Sequence, residues 1–268
     1  MAENQQNFDL VVIGGGNMGT ALLSGLLREG TVAASGVAVV ELSAERRAVV
    51  SAEFPDVVVT ETLPSCEAAV LAVKPPAIAE VSAAVCAAGA RRVLSIAAGI
   101  TTATLRAACG EGVDVVRSMP NTPAMVGKGV TAICTDGMSN PSVLDWAESL
   151  LSAVGMVIRV GEEHFDAVTG LTGSGPAYVF AFAEALIAAG KAAGLPEAVL
   201  EPMVTQLLTG SASLLAAEGN PSALREAVTS PGGTTAAGLG VLSERDFNKL
   251  IEDVVTAAKL RSEELGTV

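Results

Sequence analysis

The first half of the chain alternates short apolar runs with longer stretches rich in Ala and Leu. The short runs are dominated by Val, Ile and Ala, and Gly, Pro, Asp or Asn residues bound them. Runs of this kind predict strands, and their alternation with helical stretches is typical of βαβ units and a parallel sheet. Several runs are almost wholly apolar, as strands buried on both faces are. The predicted strands are residues 9–13, 36–41, 57–60, 68–73, 91–97, 113–117 and 129–134, with 155–160 as a last edge strand.

The second half carries a helical pattern only. From about residue 163 the strand signals stop and long Ala-rich segments follow. We therefore expect two domains, an α/β domain at 1–162 and an all-α domain at 163–268. The predicted helices of the second domain are residues 175–194, 196–218, 221–228, 235–242 and 244–264.

One predicted helix is apolar nearly all round. Residues 177–189 carry Glu184 as their only charge. A helix without a polar face must be buried, and a single small bundle has little room to hide it. The pattern favours a dimer interface, with the central helix of a monomeric bundle as the alternative.

Composition narrows the class of protein. The 268 residues are 50% hydrophobic and 17% charged, which is enough to build folded cores. The net charge of −13, without a Lys/Arg cluster, disfavours nucleic acid and anionic membranes as partners. The four cysteines form no CxxC pair, so we expect free thiols and no metal site. The polar residues 1–7 do not resemble a signal peptide, and no uninterrupted apolar stretch is long enough to span a membrane, so we expect a cytoplasmic protein.

The candidate chemistry begins at residues 14–19, Gly-Gly-Gly-Asn-Met-Gly, between the first predicted strand and a helical stretch. In a G-x-G-x-x-G turn the first glycine permits the tight turn, the second admits a pyrophosphate, and the third lets helix and strand pack closely. The phosphates then lie at the helix N-terminus. This segment predicts a dinucleotide-binding turn.

The residues after the second predicted strand bear on the choice of dinucleotide. Glu41 lies where an acidic side chain binds a ribose 2′-hydroxyl, which favours NAD. Arg46 and Arg47 follow closely and could instead approach the 2′-phosphate of NADP, or lie on a solvated helix face. The sequence therefore leaves NADH and NADPH both open.

Three further segments end predicted strands, at the edge where open α/β sheets bind ligands. They are residues 72–76, which include Lys74, residues 95–100, and residues 117–123. In the last segment Pro120 and Pro123 bracket Asn121, which predicts a stiff turn that aims an amide at a ligand, or a turn of purely structural use.

The helical half contains two glycine-rich loops, at residues 170–178 and 230–235. In the second loop the N–H groups of Gly233, Thr234 and Thr235 would converge at a helix N-terminus and receive a carboxylate, although an ordinary N-cap has the same composition. His164 is the only histidine, and neither a Ser/His/Asp set nor a metal cluster can be built around it, so we do not expect a hydrolase. Hydride transfer to an electrophilic imine needs no strong acid or base, which points to a nicotinamide enzyme.

Six motifs together resemble those of the pyrroline-5-carboxylate reductase family, in its order and spacing and over essentially the whole chain. The resemblance implies a Rossmann-like N-terminal domain followed by an all-α C-terminal dimerisation domain, in a homodimer or a higher oligomer built of dimers. The motifs are GGGNMG at 14–19, AVKPP at 72–76, SIAAGI at 95–100, MPNTPA at 119–124, TGSGPAYVF at 172–180 and VTSPGGTTAAGL at 228–239.

The resemblance also implies roles for individual residues in the reduction of 1-pyrroline-5-carboxylate to L-proline, the last step of proline biosynthesis. Thr235 would act in catalysis, with its hydroxyl on the ring nitrogen, while backbone N–H groups of the 230–235 loop receive the substrate carboxylate. The implied substrate-binding residues are Ser174, Ser230, Gly233, Thr234 and Thr235. The residues implied to bind NADPH or NADH are Gly14, Gly16, Asn17, Met18, Gly19, Glu41, Ala72, Val73, Lys74, Pro75, Ala97, Ala98 and Asn121.

Two other functions stay open from the residues alone. A β-hydroxyacid dehydrogenase shares the layout, but it places a catalytic lysine shortly after its second-domain glycines, where residues 176–180 have none. A non-catalytic nucleotide-sensing protein would keep the fold without turnover.

The chain also departs from many reductases of the family in the cofactor pocket. Those reductases carry Ser or Asn with Arg after the second strand, where this chain has Glu41-Leu42-Ser43.

Overall fold

The protein's structure, a computed structural model, describes residues 7–266. The eight strands predicted from the sequence all form and belong to one sheet. Their bounds are β1 Leu10–Ile13, β2 Val37–Val40, β3 Val58–Thr60, β4 Ala68–Leu71, β5 Arg92–Ser95, β6 Asp114–Met119, β7 Gly129–Thr135 and β8 Gly155–Arg159.

The sheet is mostly parallel, in the order β3-β2-β1-β4-β5-β6-β7-β8. The expectation of a wholly parallel sheet is wrong at one pair, because β7 runs antiparallel to β6, with Arg117 opposite Cys134. A parallel return needs a crossover of a dozen or more residues, about the length of a helix with its turns. Residues 120–128 provide only a short 3-10 helix, Thr122–Val126, so the chain reverses there instead.

Helices cover both faces of the sheet. Alternate strand residues point to opposite faces, and they divide into two cores: Val12 and Val39 pack with one set of helices, while Val11 and Ala38 pack with another. The first core includes α1 Asn17–Arg28, α2 Ala44–Glu53 and α5 Val143–Leu151, and the second includes α3 Ile78–Ala87 and α4 Thr102–Cys109.

The described residues after β8 form helices joined by short loops, as predicted. After a short helix, α6 Phe165–Val168, residues Thr169–Gly173 form a π-helix. The helices that follow are α7 Gly175–Ala192, α8 Glu197–Glu218, α9 Pro221–Ala227, α10 Thr234–Glu244 and α11 Phe247–Gly266.

The chain divides into two compact units. The first unit comprises Met1–Gly173 and Ala258–Val268, and the second comprises Ser174–Ala257. The end of α11 therefore belongs to the first unit, where the Ser262 hydroxyl donates to Asp166 Oδ1 over 2.6 Å. The boundary at 162/163 that the sequence predicts separates a cofactor-binding domain from a substrate-binding and dimerisation domain. It stays a prediction.

The apolar helix singled out from the sequence is exposed within the chain. No residue of α7 is buried in the described structure, and Phe180 and Phe182 are 62% and 48% exposed. The alternative of a central helix in a monomeric bundle is therefore wrong.

The helical run Glu162–Ala192 is long and apolar enough to cross a membrane, by length and composition alone. The sequence contains no uninterrupted apolar stretch of that length.

Candidate active site

The glycine turn between β1 and α1 has the backbone that a dinucleotide site requires. Gly14 has a φ of +108°, and its N–H donates to the Val40 carbonyl over 2.8 Å. A Cβ on Gly14 would lie 2.5 Å from the Ala72 carbonyl oxygen, and a Cβ on Gly19 would collide with the Gly14 carbonyl. The first and third glycines of the motif therefore allow the turn and α1 to pack tightly against the sheet.

The second glycine of the motif faces open space instead. Apart from Gly16 itself, its chain neighbours and the backbone of its own helix, no heavy atom of the described residues lies within 4 Å of the point where a Cβ on Gly16 would sit. Gly16 is also the N-cap of α1, whose first turn has no acidic residue and no side-chain cap. The first N–H groups of a helix have no intrahelical partner and bind anions. A pyrophosphate fits this position, beside the exposed Asn17 and the half-buried Met18.

The acidic residue after β2 is tied to the glycine turn. Glu41 Oε2 accepts the Gly15 N–H over 2.9 Å, and Glu41 Oε1 accepts the Ser43 N–H over 2.9 Å. Arg46 donates through Nε to the carbonyl of the same Gly15. The sequence predicted neither of the two contacts with Gly15. Its partners Glu41 and Arg46 lie 26 and 31 residues further along the chain.

The ends of β4 and β5 meet the turn at one edge of the sheet, because both strands run parallel to β1. Ala72 donates its N–H to the Ile13 carbonyl over 2.8 Å, which places the AVKPP segment beside the glycine turn. Of the residues expected to bind the cofactor here, Ala97 is buried, Ala72 and Val73 are half-buried, and Lys74, Pro75 and Ala98 are exposed.

Asn121 lies in the segment after β6, and its amide has protein partners on both sides. Its Oδ1 accepts the Val130 N–H and its Nδ2 donates to the Thr172 carbonyl, each over 3.0 Å. The amide thus joins the start of β7 to the π-helix. One N–H of the Asn121 amide remains in addition to these bonds, since the group carries two donors.

The loop expected to bind the substrate lies in the second unit, before α10. Gly233 is the N-cap of α10 without a side-chain cap, and Thr234 begins the helix. The Gly233 N–H donates to the Ser230 carbonyl over 3.0 Å, and a Cβ on Gly233 would collide with Ser230 Oγ. Thr234 and Thr235 are exposed. Ser174, which is half-buried, precedes α7 in the same unit.

A partly buried ion pair between Arg117, on β6, and Glu162 was not predicted from the sequence. The Arg117 guanidinium donates to Glu162 Oε1 over 3.0 Å and stacks 4.4 Å from the centroid of the Phe165 ring. Glu162 also accepts the N–H and the hydroxyl of Thr102. Burial raises the pKa of Glu162, but the hydrogen bonds from Thr102 and Arg117 outweigh it and lower the pKa overall.

The remaining reactive side chains do not form a second centre. Cys66, Cys86, Cys109 and Cys134 are free, and burial raises the pKa of Cys66 to about 11 and of Cys134 to about 12. Within residues 7–266, no group of three or more His, Cys, Asp or Glu side chains could hold a metal ion. His164 is exposed, 3.5 Å from a carboxylate oxygen of its neighbour Glu163.

Comparison with known proteins gives consistent matches along the chain. A family model described as pyrroline-5-carboxylate reductase dimerisation matches residues 162–265, and one described as NADP oxidoreductase, coenzyme F420-dependent, matches residues 9–99. The pyrroline-5-carboxylate reductase of Synechocystis is 41% identical over 268 residues, which cover 97% of this chain and 99% of that relative.

Solved structures agree with these matches. A pyrroline-5-carboxylate reductase from Coxiella burnetii is 32% identical with a TM-score of 0.89, over 97% of this chain and 99% of that one. The pyrroline carboxylate reductase of Plasmodium falciparum, solved with NADP bound, is 27% identical with a TM-score of 0.81, over 98% of this chain and 100% of that one.

Proposed function

The chain belongs to the pyrroline-5-carboxylate reductase family, and on this premise we propose how its residues reduce 1-pyrroline-5-carboxylate to L-proline with NAD(P)H. The reaction is the last step of proline biosynthesis. The relation to reductases along nearly the whole chain carries this conclusion, and it displaces the β-hydroxyacid dehydrogenase alternative. NAD(P)H supplies, when bound, the hydride that reduces the C=N carbon of the substrate.

The cofactor pyrophosphate binds at the glycine turn and the N-terminus of α1. The open side of Gly16 and the uncapped first turn of α1 support this placement. The residues proposed to bind the rest of the cofactor line the same edge of the sheet: Glu41 at the ribose, Ala72, Val73, Lys74 and Pro75 along the dinucleotide, and Ala97, Ala98 and Asn121 towards the nicotinamide.

The substrate carboxylate binds at the N-terminus of α10. Gly233 is one of the three N–H donors expected from the sequence, and this part of the prediction needs revision because its N–H already donates to the Ser230 carbonyl. We assign the carboxylate to the N–H groups of Thr234 and Thr235, the first two of the helix, where the helix dipole also favours an anion. Gly233 and Ser230 then shape the turn that presents these donors, and Ser174 extends the substrate site.

The Thr235 hydroxyl orients the ring nitrogen. A carboxylate held by the Thr235 N–H places the substrate ring within reach of the same residue's side chain. The hydroxyl hydrogen-bonds the nitrogen, which carries a proton in the product, and this bond strengthens as the nitrogen gains electron density during the reduction. A protonated imine is the better hydride acceptor. Its nitrogen already carries the proton of the product, so hydride addition to the carbon leaves a lone pair on nitrogen to which the Thr235 hydroxyl donates.

The enzyme acts as a homodimer, and the match of the dimerisation family to residues 162–265 supports this state. We further propose that dimers build a higher oligomer, that the protein is cytoplasmic, and that it binds neither nucleic acid nor membranes. The four free cysteines support the cytoplasmic location. The net charge of −13 supports the absence of nucleic-acid and membrane binding. The apolar run Glu162–Ala192 begins with Glu162 and Asp166 engaged by protein partners, which supports an interface helix instead of a membrane span.

Turnover tests the reaction, and a pair of variants tests the role of Thr235. Purified enzyme mixed with 1-pyrroline-5-carboxylate should oxidise NADH or NADPH, read as falling absorbance, with L-proline as the product. Thr235→Val should lower kcat by about tenfold or more, because one transition-state hydrogen bond is lost. Thr235→Ser keeps the hydroxyl and should retain most of the activity.

Two results would contradict these assignments. Equal turnover in Thr235→Val and the parent enzyme would remove the hydroxyl from the mechanism. Absence of turnover with both cofactors, while the protein still binds them, would support the non-catalytic nucleotide-sensing alternative.

A further inference from the structure

The contacts at the end of β2 bear on the choice between NADH and NADPH, which the proposed function leaves open. Both oxygens of the Glu41 carboxylate are held by backbone donors, the N–H groups of Gly15 and Ser43, each over 2.9 Å. Gly15 lies in the cofactor turn itself. The negative charge is therefore fixed beside the turn, at the position where Rossmann-type folds bind the adenosine ribose.

The carboxylate so held still has acceptor capacity for a ribose. Each carboxylate oxygen carries two lone-pair sites, and each has one of them filled by a backbone N–H. The hydroxyl groups of an unphosphorylated ribose can donate to the others. A ribose 2′-phosphate has no hydrogen to donate at this position, and its charge repels the carboxylate.

The two arginines behind Glu41 are turned towards the protein. Arg46 donates through Nε to the Gly15 carbonyl and through a terminal nitrogen to Thr20 Oγ1 over 3.3 Å. Arg46 therefore binds the carbonyl of Gly15, the residue whose N–H Glu41 accepts.

Arg47 also has partners within the protein. It donates to the carbonyls of Glu41 and Leu42 over 2.8 and 2.7 Å. Its other terminal nitrogen forms an ion pair with Glu61 at 2.9 Å. Both guanidinium groups that could neutralise a 2′-phosphate thus have partners within the protein, on the backbone and on the side chains of Thr20 and Glu61.

From these contacts we propose that this reductase is selective for NADH, with Glu41 as the residue that rejects the 2′-phosphate and Arg46 as a residue that positions the glycine turn. The expected difference in turnover between the two cofactors rests on the proposed function, whereas the expected difference in cofactor binding does not. The family description that names NADP and the NADP-bound Plasmodium structure describe relatives. The contacts of Glu41, Arg46 and Arg47 given above are those of this chain.

Cofactor affinity tests the selection directly. We expect the dissociation constant of NADH, measured by calorimetry with the full-length enzyme, to be at least about tenfold below that of NADPH, since like charges in contact disfavour the wrong partner strongly. The ratio of kcat/KM for the two cofactors should follow. Equal binding, or tighter binding of NADPH, would overturn the proposal whether or not the enzyme turns over.

Two variants separate the roles of Glu41 and Arg46. Glu41→Gln removes the charge at nearly constant size and should move the affinity ratio towards NADPH by about tenfold, while Glu53→Gln, an equal charge change at the exposed end of α2, should leave the ratio unchanged. Arg46→Met should weaken both cofactors alike. An unchanged ratio in Glu41→Gln, or a loss confined to NADPH in Arg46→Met, would contradict the assigned roles.

Discussion

A few charged side chains in this fold are largely buried, and each of them depends on specific hydrogen-bond partners. Asp136 and Arg106 form a pair at 2.7 Å with both side chains 12% exposed. Arg106 also donates to the carbonyls of Gly110 and Val113, so it closes the loop between α4 and β6. Burial alone would raise the pKa of Asp136, but the hydrogen bonds from Arg106 and Ser139 prevail and lower the pKa to about 2.

This pair predicts a pH dependence of stability. Because the folded-state pKa of Asp136 lies below its unfolded value, the contribution is present above about pH 4 and is lost as the pH falls towards 2. Asp136→Asn should lower the free energy of unfolding at pH 7 by about 2 kcal/mol, the equivalent of the pKa shift. Urea unfolding at a fixed protein concentration, at pH 7 and at pH 3, measures it.

The control for this prediction is Asp56→Asn, which removes an exposed carboxylate and should change neither the stability nor its pH dependence. If Asp136→Asn loses as much stability between pH 7 and pH 3 as the parent protein, the lowered pKa of Asp136 does not contribute in the way described.

At the scale of elements, the glycine turn offers two positions with opposite constraints. Gly14→Ala would place a methyl group 2.5 Å from the Ala72 carbonyl at a φ of +108°, so we expect a destabilised first unit. Apart from the chain neighbours and its own helix, the methyl group of Gly16→Ala meets no atom of the described residues, so this variant should fold normally, but the methyl group would occupy the position proposed for the pyrophosphate. Its affinity for NADH should fall about tenfold or more, whereas its melting temperature without cofactor should match the parent.

The pair of alanine variants is its own control, because the two substitutions are chemically identical and only two residues apart. Melting curves by circular dichroism and NADH titration give the two readouts. Unchanged cofactor affinity in Gly16→Ala would mean that the phosphates bind elsewhere than the N-terminus of α1.

The strands and helices were predictable from the sequence because their signals are local. Apolar runs such as β1 and β4 are short, wholly buried and bounded by turn residues, so composition and length suffice. The reversal at β7 was not predictable, since pairing direction depends on the link at residues 120–128 and not on the strand itself.

The meeting of segments at the candidate site was predictable where it follows from the ends of parallel strands. The glycine turn and the AVKPP segment meet because parallel neighbours end at one edge. The contacts of Glu41 and Arg46 with Gly15 depend on side-chain reach across the turn, and the link from Asn121 to Thr172 spans 51 residues. Patterns of hydrophobicity carry no information on such contacts.

At the scale of the whole molecule, the second unit leaves too much apolar surface uncovered for a lone chain in water. Phe180 is 62% exposed, and Val179, Leu207 and Val241 are at least half exposed. Exposed apolar patches of this kind mark association surfaces. Membership of a family with a dimerisation domain at residues 162–265 identifies the association as a homodimer.

This surface predicts that the dimer can be broken by charge. Phe180→Glu places a carboxylate on the exposed face of α7, where the monomer tolerates it but a buried interface does not, because an unpaired charge is costly to desolvate. We expect a monomer by light scattering coupled to gel filtration, with the helical circular dichroism signal retained and reductase activity strongly reduced. Glu53→Lys changes an exposed residue outside the dimerisation region and should leave the dimer and the activity intact.

Two results would contradict this prediction. A dimer that persists in Phe180→Glu would exclude this face of α7 from the interface. Binding of the parent protein to lipid vesicles would show that the apolar run Glu162–Ala192 binds a membrane instead.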